Sequence, residues 1–327
     1  MRGFEFEQAS DIQQAINRHG SSDALIAGGT TLLDLVKLDV MRPEKVVDVT
    51  HLPLRQVESL ADGRLKVGAL VSNADLARHD SVLRDYPIVS EALLAGASTG
   101  LRNMATTAGN VMQRTRCPYF RDPDMPCNKR EPGSGCSAIE GINRNHAVLG
   151  TSDKCIATHP SDMCVGMVAA GATVVVEGPQ GVREIPFEEY HLLPGETPEQ
   201  EHDLMAGELI THVILDPPRG GGQSYLKLRD RSSYEFALAS CAAIVNLDGD
   251  TITEARVAMG GVATKPWRAT PAEEALKGQP ATRETFERAA EAVMQDAVAY
   301  SHNGYKITLG KQAVARALRD AANRARA

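Results

Sequence analysis

The sequence predicts an α+β fold in two parts, and three observations carry that reading. Short strands and helices alternate over about the first hundred residues. An irregular stretch, roughly Arg102 to Cys155, then interrupts them with Gly, Pro, Asn, Arg and Cys. Beyond a Pro/Gly-rich linker, a meander of strands precedes three helices, and strands followed by helices make an α+β pattern. A chain of 327 residues holds two or three compact domains. Its apolar fraction of 43% supplies a core, and with only 4% aromatics that core is aliphatic.

The elements follow in order. DIQQAINRHG reads as an amphipathic helix with Ile12, Ala15 and Ile16 on one face and Gly20 as its stop. ALIAGG is a buried strand running into glycines, and TTLLDLVK restarts a helix with Leu32, Leu33 and Val36 inward. VVDVT and RLKVGAL are strands. SNADLARH opens with cap residues, and PIVSEALLAGAS carries Pro87 near its start. After the irregular stretch, HPSDMCVGMVAAGATVVVEG gives a capped helix and the strand Thr173–Val176, which VREI completes as a hairpin. ELITHVIL is a strand before the linker, Pro217 to Gly222. SYLKLRD, FALASCAAIVNL and TITEARVAMGG form the meander, turned at Asp248-Gly249. TPAEEALKG, TRETFERAAEAVMQDA and KQAVARALRDAANRA are the final helices.

Composition excludes several classes. The formal net charge is −7, which argues against a general nucleic-acid binder. No segment reaches the roughly 18–20 apolar residues of a membrane helix. MRGFEFEQAS does not read as a signal peptide, so the expected location is the cytoplasm, or the periplasm by co-export with a signal-bearing partner.

Three motifs offer groups that suit phosphate, sugar or ribityl oxygens. Ala27-Gly28-Gly29-Thr30-Thr31-Leu32 joins a strand to a helix. Its glycines let a ligand approach the backbone, and free N–H groups at the helix start favour a pyrophosphate. It also reads as a plain Gly–Gly turn with a threonine cap, and it is not G-x-G-x-x-G. Thr106-Thr107-Ala108-Gly109-Asn110 offers small residues and hydroxyls for phosphate or ribityl oxygens, although by itself it reads as an ordinary turn. In Pro160-Ser161-Asp162 the aspartate can accept from sugar or ribityl hydroxyls, or simply cap the next helix.

Cysteines carry the sharpest signal. Cys117, Cys127, Cys136 and Cys155 have nine, eight and eighteen residues between neighbours, without a C-x-x-C pair. Structural zinc prefers tight pairs, whereas four thiolates on a loop suit a [4Fe–4S] cluster. Arg114, Arg116, Arg121, Lys129, Arg130, Arg144 and His146 share the stretch, either to stabilise an anionic cluster or as a solvated basic surface. Cys164 and Cys241 sit in apolar runs and read as core, Cys164 being the competitor for a ligand position.

Together these residues resemble the FAD-binding medium subunit of the molybdenum hydroxylases, the xanthine dehydrogenase and aldehyde oxidase family, over essentially the whole chain. The cysteine stretch narrows the resemblance to the flavin subunits of periplasmic-type bacterial aldehyde oxidoreductases. The resemblance implies a two-part FAD-binding domain of the vanillyl-alcohol-oxidase-related type over 1–218, with subdomains of about 1–54 and 55–218 and a cluster loop of about 111–158. It implies a C-terminal domain of the CO dehydrogenase flavoprotein type over 219–327. FAD would contact Ile26 to Leu32 (Ile26, Ala27, Gly28, Gly29, Thr30, Thr31, Leu32), Thr106, Thr107, Gly109, Asn110 and Asp162, with Ile210 on the adenine side and Lys227 near the flavin. The four loop cysteines would hold a [4Fe–4S] cluster, and no catalytic residue is expected on this chain. Expected partners are a large molybdenum-cofactor subunit, a small subunit with two [2Fe–2S] clusters, and an external electron acceptor. A 4-hydroxybenzoyl-CoA reductase-like flavin subunit is the alternative within the family, and a structural scaffold is the alternative outside it.

Overall fold

The computed structural model describes residues 1–18, 20 and 22–327; His19, at the end of the first expected helix, lies outside the described residues. The N-terminal part builds a small parallel sheet from β1 (Glu5–Gln8), β2 (Ala24–Ile26) and β3 (Lys45–Asp48), in the order β1-β3-β2. A second sheet takes β4 (Val57–Ser59), β5 (Leu65–Gly68), β6 (Ala172–Gly178), β7 (Gly181–Pro186) and β8 (Leu209–Leu215). Its order is β4-β5-β8-β6-β7 and every pairing is antiparallel. The C-terminal sheet is the expected meander, β9 (Gly222–Leu228), β10 (Ala239–Asp248) and β11 (Thr251–Gly260), plus the two-residue β12 (Trp267–Arg268). Helices Thr270–Leu276, Arg283–Val293 and Tyr305–Ala325 follow it. The last begins six residues before the run that sequence periodicity marks.

Local signals set the helix starts. Ser72 Oγ accepts from Asp75 N, Thr106 Oγ1 from Gly109 N at 3.2 Å and Ser161 Oγ from Cys164 N at 3.1 Å. Pro87 stands at the start of helix Pro87–Ala95. Helix Asp162–Ala170 is buried at every residue. It packs against helix Pro87–Ala95 on one side and β10 and β11 on the other, so it joins the two halves of the molecule.

Three apolar cores result. One fills the first two sheets with Val67, Ile88, Met163, Val174 and Val213. A second lies between the meander and its helices, around Val257, Phe286 and Leu318. The third is small and brings Leu35, Phe120 and Ile156 together with Cys117, Cys127 and Cys155. This third core corrects the expected face of helix Leu32–Lys37. Leu33 is 37% exposed, and Leu35 and Val36 point inward, because Leu35 is drawn to the cysteine stretch.

The cysteine stretch is ordered by distant partners. Val298 N donates to Val148 O at 2.8 Å, and Asn303 Nδ2 donates to Ala147 O at 3.0 Å. The fully buried Lys306 donates to Asn145 O at 3.0 Å and Gly261 O at 2.6 Å, and burial lowers its pKa to about 7. Segment 298–306 of the C-terminal part thus clamps the middle of a loop that leaves the first core. Among the described residues no helix is long and apolar enough to cross a membrane.

Candidate functional site

The two glycine-bearing loops meet backbone to backbone. A Cβ on Gly28 would overlap the Met104 carbonyl and stand 2.7 Å from its carbon, so only glycine lets the loops close. Gly29 adopts φ +69°, which lets the chain turn into the helix that follows. From Gly28 to Leu32 no backbone N–H finds an acceptor among the described residues, leaving a row of free donors suited to phosphate oxygens. The second loop is spent differently. Thr107 and Ala108 donate their N–H groups to Val71 O and Ala69 O, so this loop offers its surface rather than its amides.

Three cavities join along these loops. The largest, about 560 Å³, is lined by Ala27 to Leu32, Thr106, Gly109 and, at the far end, Leu209 and Ile210. It shares Thr30, Thr31 and Gly109 with a second of about 260 Å³, which also holds Asn110, Asp162 and Lys227. That one shares Arg116, Asp162 and Phe236 with a third of about 420 Å³, whose wall includes Cys117 and His146. The channel therefore runs from an apolar end, past the free amides, to a polar end at Cys117. An extended dinucleotide has these same requirements, so the residues present fit FAD.

Most of the expected flavin residues line this channel, but two do not. Thr107 is fully buried and its hydroxyl donates to Val71 O at 3.0 Å, so it holds the loop in place. Ile26 packs beneath Gly29 rather than facing the cavity. At the third motif the roles separate. Ser161 caps the helix and donates to Asn110 Oδ1 at 2.7 Å, tying two motifs together. Asp162 accepts from Tyr225 OH at 2.5 Å and Lys227 Nζ at 2.7 Å. Tyr225 is absent from the sequence expectation. Its signal was present, since residues 225 and 227 of β9 share one face of a strand.

The four loop cysteines converge. Cys127 and Cys136 face each other across an antiparallel bridge, and with Cys117 and Cys155 they belong to one apolar cluster. All four are free thiols. Burial pushes the Cys117 thiol up to about 12 and the Cys155 thiol up to about 11, so metal binding here would release protons. No three of their sulfurs lie within 4.8 Å of one another.

The basic residues of the stretch are largely paired with other groups rather than solvated, and the Lys129 charge also reaches a thiol, lowering the Cys155 pKa against the upward push of burial. Arg114 pairs with Glu201 at 2.6 Å, Arg116 and Arg121 both pair with Asp34 at 2.8 Å, and Arg144 pairs with Asp230 at 2.8 Å. Lys129 donates to Pro198 O at 2.8 Å, and Arg130 to Phe120 O at 2.8 Å. They are struts from the loop to its surroundings. Only His146 touches a thiol, its Nε2 standing 3.1 Å from Cys117 Sγ.

Cys164, the competing cysteine, lies with His159 and His191, their ligand atoms within 4.8 Å of one another. His191 Nε2 donates to Val111 O at 3.0 Å, leaving Nδ1 bare. His159 Nδ1 accepts from Ser161 N at 3.3 Å, so its Nε2 keeps the proton in the neutral ring. One lone pair and one thiol do not make a metal site. Burial pulls the His191 pKa down to about 3, and that of the half-buried His202 to about 4. An unfolded histidine titrates near 6.5, so the unfolded chain takes up protons first. The stabilisation is complete above that pH and drains as pH falls toward the folded value. His191 alone should cost about 2 kcal/mol between pH 6.5 and 5. Urea titrations at those two pH values should show the loss, and His191→Gln should flatten it.

Comparison with known proteins completes the site. Residues 2–218 match the family described as FAD binding domain in molybdopterin dehydrogenase, and residues 224–321 match the CO dehydrogenase flavoprotein C-terminal domain. The chain belongs to the FAD-binding medium-subunit family of the molybdenum hydroxylases. As a medium subunit of this family it binds FAD and is part of an oxidoreductase. It is 48% identical to the aldehyde oxidoreductase FAD-binding subunit PaoB of Escherichia coli K12, over 98% of this chain and 99% of that one. It is 25% identical to the glyceraldehyde dehydrogenase medium chain of Sulfolobus acidocaldarius, over 84% of this chain and 82% of that one. Among solved structures, carbon monoxide dehydrogenase from Hydrogenophaga pseudoflava matches with a TM-score of 0.78 and 26% identity, covering 99% of both chains. Both of these relatives are named as a subunit or chain of an enzyme.

Proposed function

We propose that this chain is the electron-transfer flavoprotein of a molybdenum-containing aldehyde oxidoreductase, with a [4Fe–4S] cluster of its own on Cys117, Cys127, Cys136 and Cys155. The observation that carries the reading is the series of adjoining cavities, which runs from the glycine loop past Asp162 and Lys227 to a wall that includes Cys117. The 48% identity to an aldehyde oxidoreductase subunit supports the substrate class. Electrons would come from [2Fe–2S] clusters of a small partner, after aldehyde oxidation at the molybdenum cofactor of a large one. They would leave to an external acceptor.

FAD supplies two-electron chemistry that can be released one electron at a time, and the protein's part is to hold and tune it. The amides of Gly28 to Leu32 would receive the pyrophosphate. Ile210 would pack on the adenine side. Asp162, fixed by Tyr225 and Lys227, would accept from ribityl hydroxyls. For the thiols, the lack of a C-x-x-C pair disfavours structural zinc, and four cysteines on one loop suit a multi-iron group.

Anaerobically purified protein should contain about four irons, four sulfides and one FAD per chain. Cys127→Ser should lose the iron and keep the FAD. Unchanged iron in that variant would remove Cys127 from the ligand set, and flavin without iron in the intact protein would refute the cluster.

A further inference from the structure

His146 has one polar neighbour on its ring. Nε2 lies 3.1 Å from Cys117 Sγ, and Nδ1 has no partner among the described residues. The ring is buried at 3% exposure and held from several directions. His146 N donates to Asn143 O at 2.9 Å, Asn303 and Lys306 fix the carbonyls of Ala147 and Asn145, and the Tyr119 ring lies 6.2 Å away. A histidine so placed has lost its water and gained only a sulfur in return.

The sulfur it touches is distinctive. Of the four loop cysteines, only Cys117 lines the third cavity, which shares Asp162 and Phe236 with the second cavity, where Lys227, the residue expected near the flavin, also stands. Cys117 is therefore the corner of the thiol pocket nearest the flavin. A cysteine that binds iron has no proton, so its sulfur can only accept. The proton of the contact must then sit on Nε2.

We infer that His146 is a positioning residue for the cluster, donating Nε2–H to Cys117 Sγ and raising the cluster's reduction potential from its flavin-facing corner. Reduction adds one electron and makes the sulfurs more negative, so a donor aimed at sulfur stabilises the reduced state more than the oxidised one. This inference rests on the cluster reading of the preceding subsection, and the test separates the two.

His146→Leu and His146→Gln are prepared in the assembled complex. Iron, sulfide and FAD are measured, and the cluster and flavin midpoints are read in one EPR-monitored redox titration. The leucine variant should keep FAD and show a lower cluster midpoint, with the flavin midpoint unmoved. Glutamine, which can still donate, should restore most of the shift. A cluster lost in the leucine variant but kept in the glutamine variant would carry the same meaning. An intact cluster with an unchanged midpoint in His146→Leu would overturn the inference, and so would equal shifts or equal cluster loss in both variants. Wild-type complex without iron in this chain would instead overturn the cluster reading, and the inference with it.

Discussion

Gly28→Ala is expected to yield a folded chain that has lost most of its FAD. The added methyl would collide with the backbone of Met104, a neighbour that cannot swing aside as a side-chain tip could. Relief requires the first loop to lift from the second. That separation would break the shared wall at Thr30, Thr31 and Gly109 where the two cavities join. The amides from Gly28 onward would then no longer converge on one phosphate position. The flavin-to-protein absorbance ratio after purification measures the effect, and circular dichroism checks the fold. Full FAD occupancy in the folded variant would show that the loops do not form the pyrophosphate seat.

Lys227→Met should produce the largest loss of stability for a single side chain. The Lys227–Asp162 pair is almost completely buried, the side chains being 4% and 8% exposed. Removing one partner of a buried pair leaves a charge with inadequate solvation and costs about 3–5 kcal/mol. Tyr225 still donates to Asp162, which places the expected value near the lower end. Denaturant titration measures it. The double variant Asp162→Asn with Lys227→Met should recover part of the loss, because no bare carboxylate remains. A loss below about 1 kcal/mol in the single variant would mean that water reaches the pair.

The sequence revealed the parts of this protein whose cause is local. The glycine turns, the serine caps and the Asp248-Gly249 hairpin each depend on residues within a few positions and form where their residues predict, whereas Thr31 stands at its helix start without a side-chain cap bond. Long-range causes stayed hidden. Leu33 looks like a core residue by period, and only the arrival of the cysteine stretch at Leu35 explains why it is not. The arginines near the cysteines look like a basic surface until Asp34 and Glu201, 82 and 87 residues away from Arg116 and Arg114, take up their charges. The four thiols could be grouped by elimination, but the histidine beside one of them could not, because nothing in the spacing from 117 to 146 dictates a contact.

The clamp on the cysteine stretch also bears on the order of biosynthesis. Val148 waits for Val298, and Asn145 for Lys306, so about 150 residues must be made between the loop and its fastener. Domains fold as they emerge, N-terminal first. The glycine loops, whose hydrogen-bond partners extend no further than Ser161 and Cys164, can form while the chain is still growing. The thiol pocket takes its final shape only when synthesis is nearly finished. Flavin and metal would accordingly be acquired at different stages of the chain's life, and a ribosome-stalled fragment ending before residue 298 should be able to keep the first without the second.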